Sequence, residues 1–195
     1  MRFNLSEITA VIKERRSIPP EKFSNRKVHK EIIENIIRNG TWAPTHGNTQ
    51  PWRFKVYTDQ ALTRLSEKLG ELYKAETPAE SYSEIKEQKL VNRPLKTSVV
   101  IVICMERQES GKIPEIEEVE AVACAVQNMS LTATAYGIGA FWSTPGVMYG
   151  EAFANFLGLN TKDRCLGLLY LGYPGDEWPK GQRKPIEYLT QWIDK

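Results

Sequence analysis

Apolar side chains recur along this chain in two rhythms, one stepping every three to four residues and one nearly continuous. Leu5, Ile8, Val11 and Ile12 share one helical face and predict an opening helix, with Asn4 and Glu7 as a capping box. Pro19 and Pro20 cannot continue it, so it should end near Arg16. Ile32, Ile33, Ile36 and Ile37 form the stripe of a second helix over 29–39, stopped by Gly40. Residues 54–57 read as a strand, and Asp59 as the cap of a helix carrying Leu62, Leu65, Leu69 and Leu72. Residues 99–104 are an unbroken, β-branched run, the pattern of a strand buried on both faces. The strongest helical register lies over 117–136, where Ala121, Ala123 and Ala125 allow close packing. Residues 141–143 and 166–171 complete a sheet, with a short helix near 150–157 between them.

Two segments fit these rhythms poorly. Residues 73–93 are charged and hold few large aliphatic side chains, so they read as a partly helical, mobile excursion over a site. The tail from Pro174 holds Trp178 and Trp192, rings that need a surface to lie on, which in a dimer could be the partner's. Strand and helix otherwise alternate without repeat or linker. The prediction is one α+β domain spanning residues 1–195, a central sheet covered by helices.

Composition narrows the function. The net charge of +2 comes from 26 basic and 24 acidic residues that are interspersed, which points away from nucleic acid and anionic membranes as partners. The longest apolar run, 99–105, is far shorter than the roughly 20 residues a membrane span needs. The N-terminus lacks the apolar stretch of a secretory signal, so a cytoplasmic location is expected. Cys104, Cys124 and Cys165 sit in apolar settings without a Cys-x-x-Cys or His partner and read as buried, reduced thiols.

Chemistry concentrates in residues 41–54, Thr-Trp-Ala-Pro-Thr-His-Gly-Asn-Thr-Gln-Pro-Trp-Arg-Phe. Rigid turns, stacking rings and hydrogen-bonding amides in one connection suit a flat, polar ligand. About thirty residues earlier, Arg15-Arg16-Ser17 offers two guanidinium forks and a hydroxyl, suited to phosphate oxygens. The same arginines could instead merely complement the C-terminal dipole of the first helix. His46 has only His29 as a second histidine and no cysteine or carboxylate cluster, so a metal site is not expected.

Arg-Arg-Ser followed by Ala-Pro and Asn-x-Gln-Pro-Trp resembles the FMN-dependent nitroreductase superfamily. Residues 136–142, Tyr-Gly-Ile-Gly-Ala-Phe-Trp, are similar to the family's segment beside the flavin, and residues 168–174 and 183–185 to its closing strand and basic tail. The resemblance implies a nitroreductase-like central mixed sheet flanked by helices, in an intertwined homodimer. It implies FMN as cofactor and NADH or NADPH as electron donor. Members take a hydride onto the flavin and then pass it to a small-molecule acceptor in the same pocket, a ping-pong reaction on flat, electron-poor compounds such as nitroaromatics or quinones.

By the same resemblance Arg15, Arg16, Ser17 and Arg183 (with Lys184 as its neighbouring alternative) would hold the phosphate and ribityl chain. Phe141, Trp142 and Ser143 would run along the ring, with backbone amides directed at its polar edge. Trp42, His46 and Asn48 would reach the ring from the other subunit, while Gln50 and Trp52 tie down the loop. The cofactor performs the redox step, so no catalytic side chain is expected. One departure stands out: relatives often carry Lys or Arg two residues after the motif serine, and this chain has Pro19 there. Arg53 or Arg93 is the candidate replacement. A specialised flavin dehydrogenase or oxidase, a flavin-binding protein without turnover, and a cofactor-free interaction domain are the alternatives.

Overall fold

The computed structural model describes residues 3–194. Its frame is a four-stranded sheet of β1 (Trp52–Thr58), β2 (Val99–Met105), β3 (Gly139–Ser143) and β4 (Arg164–Gly172), in the order β1-β2-β4-β3. Every pairing between these strands is antiparallel. Among the described residues the parallel component of the sheet is a single bridge, Ser17 to Ala140, on the outer edge of β3.

β2 is buried at every position, as its β-branched run demands. Its alternation feeds two cores. Val99, Ile101, Ile103 and Met105 enter one with α2 (Lys30–Gly40) and α5 (Glu115–Ala135). Val100, Val102 and Cys104 enter the other with α3 (Gln60–Glu76), α4 (Glu84–Leu95) and α6 (Glu151–Leu157). Each fully buried aliphatic side chain contributes roughly 1.5–3 kcal/mol, so β2 anchors both layers. Of the α5 alanines expected to pack closely, Ala123 is only half-buried. Ala121, Ala125 and Ala133 are buried, and a Cβ on Gly40 of α2 would come 2.7 Å from Met129 Cγ.

Three expectations need correction. Asp59 precedes α3 with φ 48° and makes no cap bond; its carboxylate instead faces Lys27 at 3.4 Å. Residues 73–93 form the end of α3 and most of α4, packed on each other through Leu90, a Ser66 Oγ–H bond to Val91 O (2.6 Å) and a Ser83 N–H bond to Tyr73 Oη (3.0 Å). The excursion is a helical hairpin. Of the three thiols Cys124 is exposed, while Cys104 and Cys165 face each other across β2 and β4. The hydrogen bond from Cys165, together with burial, raises the Cys104 thiol far above its ordinary range. The capping of α1 (Leu5–Glu14) is by Asn4, whose Oδ1 accepts from Ser6 N–H at 3.0 Å.

A bulge shapes β4. The register slips between Ile103 and Cys104, leaving Leu166 as the extra residue, and Gly167 takes φ +139°. Trp142 fills the space above it and donates its ring N–H to Leu166 O at 3.0 Å. A Cβ at Gly167 would lie 2.2 Å from that ring nitrogen and 2.9 Å from Ser143 O. Gly167→Ala should therefore cost about 2 kcal/mol or more, read as a lowered urea midpoint. An unshifted midpoint would contradict this account of the bulge.

Candidate functional site

α1 stops where Arg15 leaves helical geometry, its N–H still bonded to Val11 O at 3.0 Å. The chain then runs extended along β3, with Ile18 N–H donating to Ala140 O at 3.0 Å. Pro20–Lys22 form one tight turn, and Phe23 drops onto the sheet end. That landing requires glycines: a Cβ on Gly139 or Gly172 would come 2.9 or 2.5 Å from the Phe23 ring.

This path presents Arg15 and Arg16 at the foot of β3. The tail returns to the same place. Trp178 donates its ring N–H to Glu14 O at 2.7 Å, and the backbone at Gly181 lies against the Arg16 guanidinium, where an added Cβ would come within 2.2 Å of Cζ. Arg16 Nη1 donates to Lys13 O (2.5 Å) and Arg15 O (2.7 Å), yet its Nε is buried without a partner. Burial, then the charges of Arg183 and Arg16, lower the pKa of Arg15. Among the described residues no carboxylate forms an ion pair with any of these three arginines. Three neighbouring guanidinium groups without a carboxylate partner have the charge and donors that suit an anionic ligand.

Beyond this cluster the outer edge of β3 has no strand partner among the described residues and opens into a cavity of about 540 Å³. One wall is Phe141, Trp142, Ser143 and the turn to Gly146; the other is α4, with Lys86, Lys89, Leu90 and Arg93. Arg93 donates Nε–H to Glu21 Oε1 at 2.9 Å, and its Cζ lies 4.9 Å from the Phe141 ring centroid. Partial burial would raise the Glu21 carboxyl, but the Arg93 bond and charge outweigh it and hold the pKa below its ordinary 4.5. Tyr170 closes the floor, its phenol pushed up by burial.

The Pro-Trp loop occupies a separate cleft. Asn48 and Gln50 take positive φ (53° and 46°) beside Gly47 (58°), so backbone strain sits at two non-glycine positions of this loop. Gln50 Nε2 donates to Asn48 Oδ1 at 3.0 Å, and Trp52 is buried in the α2–α5 core. His46 Nδ1 lies 2.5 Å from Glu117 Oε2 on α5, while Trp42 is 82% exposed. Within one chain, then, Arg15, Arg16, Ser17 and Arg183 gather beside the strand of Phe141, Trp142 and Ser143, whereas Trp42 and Asn48 line a different cleft.

The two candidates for the missing basic residue also separate. Arg53 is bound by Glu106 (2.7 and 2.9 Å) on the opposite edge strand, and Arg93 stands at the cavity. Sequence reasoning passed over Tyr73, Glu21, Tyr170 and the two lysines of α4. The spacing of Lys86, Lys89 and Arg93 on one helical face was a usable signal; Glu21 meets Arg93 across 72 residues and left none.

The Nitroreductase family model matches residues 12–173. The protein named "Putative NAD(P)H nitroreductase YdjA" of Escherichia coli strain K12 is 29% identical over 144 residues, 74% of this chain and 76% of its own. A nitroreductase-like family protein from Bacillus cereus superposes with a TM-score of 0.82 at 28% identity, covering 100% of both chains. The FMN-dependent nitroreductase NfnB of Mycobacterium smegmatis, solved in complex with NADPH, shares the fold with a TM-score of 0.74 at 19% identity, over 96% of this chain and 98% of its own. The chain belongs to the Nitroreductase family, and with it to the flavin-dependent oxidoreductases.

The Glu21–Arg93 pair has a pH signature. A carboxyl depressed by folding stabilises the fold above its unfolded pKa, near 4.5, and loses that contribution as pH falls through the depressed value. The Tm of Glu21→Gln should thus lie below that of the parent at pH 7, with the gap closing below pH 4.5. A gap independent of pH would remove the ion pair as its cause.

Proposed function

We propose that this protein is an FMN-containing, NAD(P)H-dependent oxidoreductase that reduces flat, electron-poor acceptors such as nitroaromatics or quinones. The observation that carries the reading is the cluster of Arg15, Arg16 and Arg183, which no described carboxylate pairs with, and whose Arg16 Nε is buried and unpartnered at the foot of an open-edged strand. A phosphate there would satisfy the orphan donor and relieve the mutual repulsion of three cations, so the residues fit FMN. Bound FMN would supply reversible hydride acceptance.

Each element of the chain then has a task. Arg15, Arg16 and Arg183 hold the phosphate, and the Ser17 hydroxyl and the free main-chain edge of β3 meet the polar chain and ring. Phe141 and Trp142 flank the ring, and Arg93 sets a positive charge near it, taking the role that Pro19 leaves open. Tyr170 and Leu90 shield the cavity floor and roof from water. Donor and acceptor use the one cavity in turn, which gives ping-pong kinetics.

Trp42, His46 and Asn48 complete the site from a second copy. Support for that assembly is the set of large apolar side chains left exposed: Leu5, Ile8 and Ile12 on α1, Trp42 in the loop, and Ile186, Tyr188, Leu189, Trp192 and Ile193 in the tail. Such a surface exceeds what a monomer leaves bare, and a homodimer burying more than roughly 2,000 Å² would cover it.

The purified protein should be yellow, and its denatured supernatant should contain about one FMN per chain; FAD, or no flavin after reconstitution, would end this reading. Arg16→Ala should weaken FMN binding about 10- to 150-fold, from the roughly 1.5–3 kcal/mol of a charge-assisted hydrogen bond. Unchanged affinity in the folded variant would return Arg16 to a helix-end role. NAD(P)H consumption with a nitroaromatic separates this reading from a flavin oxidase. Deleting residues 176–195 removes Arg183 and the apolar tail and should cost both dimer and flavin; a stable, FMN-bound monomer on sedimentation would refute the shared site.

A further inference from the structure

α4 segregates its charges. Its acidic residues Glu84 and Glu87 are engaged away from the cavity, Glu84 by Gln88 (3.1 Å) and Glu87 by Lys74 (3.1 Å) and Tyr82. Its basic residues Lys86, Lys89 and Arg93 stand at i, i+3 and i+7 and all line the cavity above Phe141 and Trp142. Arg93 is answered by Glu21, which also feels the charge of Lys89. Among the described residues Lys86 and Lys89 form no ion pair, and Glu21, the carboxylate beside the cavity, is held by Arg93. A half-enclosed cavity roofed by two ammonium groups outside any ion pair concentrates anions.

We infer that Lys86 and Lys89 make this cavity selective for molecules that carry a carboxylate, sulfonate or phosphate beside their reactive ring. The inference rests on the oxidoreductase reading above for the reaction, and on the cavity alone for the binding. The anionic group could belong to the acceptor or to the phosphates of the nicotinamide donor. The lysines reach it as flexible point charges, so the preference should be screened by salt.

The test uses the holoprotein and the Lys86→Ala/Lys89→Ala variant. Calorimetric titration compares 4-nitrobenzoate with neutral 4-nitrobenzyl alcohol. The parent should prefer the anion about tenfold or more at low ionic strength, and the variant should lose that preference. Steady-state kinetics then divide the sources. A fall of about tenfold in the kcat/KM ratio of 4-nitrobenzoate to 4-nitrobenzyl alcohol assigns the lysines to the acceptor. An equal fall in the ratio of NADH to the uncharged donor 1-benzyl-1,4-dihydronicotinamide assigns them to the donor. Equal binding of the two nitro compounds by the parent, or a preference that survives in the variant, overturns the inference. Turnover of the fully uncharged pair tests the oxidoreductase reading separately, and if it is absent the titration still decides what the cavity selects.

Discussion

The site depends on how residues 17–24 are laced to the sheet. Ser17 bridges Ala140, Ile18 N–H bonds Ala140 O, and Ser24 bonds Tyr173 O through its N–H (2.8 Å) and its hydroxyl (3.0 Å). Between these ties Phe23 rests on two glycines that no larger residue could replace without moving it. The lacing fixes Arg15 and Arg16 at one end of β3 and Glu21 under Arg93 at the cavity. Without it the arginines would be a helix terminus with no relation to the cavity.

A division among the cations follows. Arg53, Arg107 and Arg164 each have a carboxylate partner, Glu106, Glu118 and Glu115, and they secure strand ends and the entry to α5. Arg107 does so while nearly buried, where an unpaired charge would be prohibitive. Arg15, Arg16 and Arg183 go without such partners despite their crowding. Their crowding without a carboxylate partner is what supports the proposed phosphate site.

Much of the architecture was legible because it is periodic. The continuous run of β2, the isoleucine stripe of α2 and the small-residue register of α5 each follow from which face must be buried, and each stands where the pattern put it. α4 was less legible, since it buries little beyond Leu90 and Pro94 and its aliphatic stripe is thin. Asp59 misled because a left-handed backbone turned its carboxylate toward Lys27, a tertiary choice that local preference does not encode. The arginines and the Pro-Trp loop could be named from their motifs, but their geometry could not. The convergence of Arg15 with Arg183 joins groups distant in sequence, and the positive φ of Asn48 and Gln50 is a backbone choice that residue type does not announce.

The paired thiols of β2 and β4 give the protein an internal clock. Cys124 lies in water, whereas Cys104 and Cys165 are shut in the core where the strands cross the bulge. A thiol reagent meets the first at once and the other two only when β2 and β4 part. The delay between the fast and slow modifications therefore measures how often the central ladder opens, a rate that the hydrogen bonds of the sheet and the packing on both its faces set together.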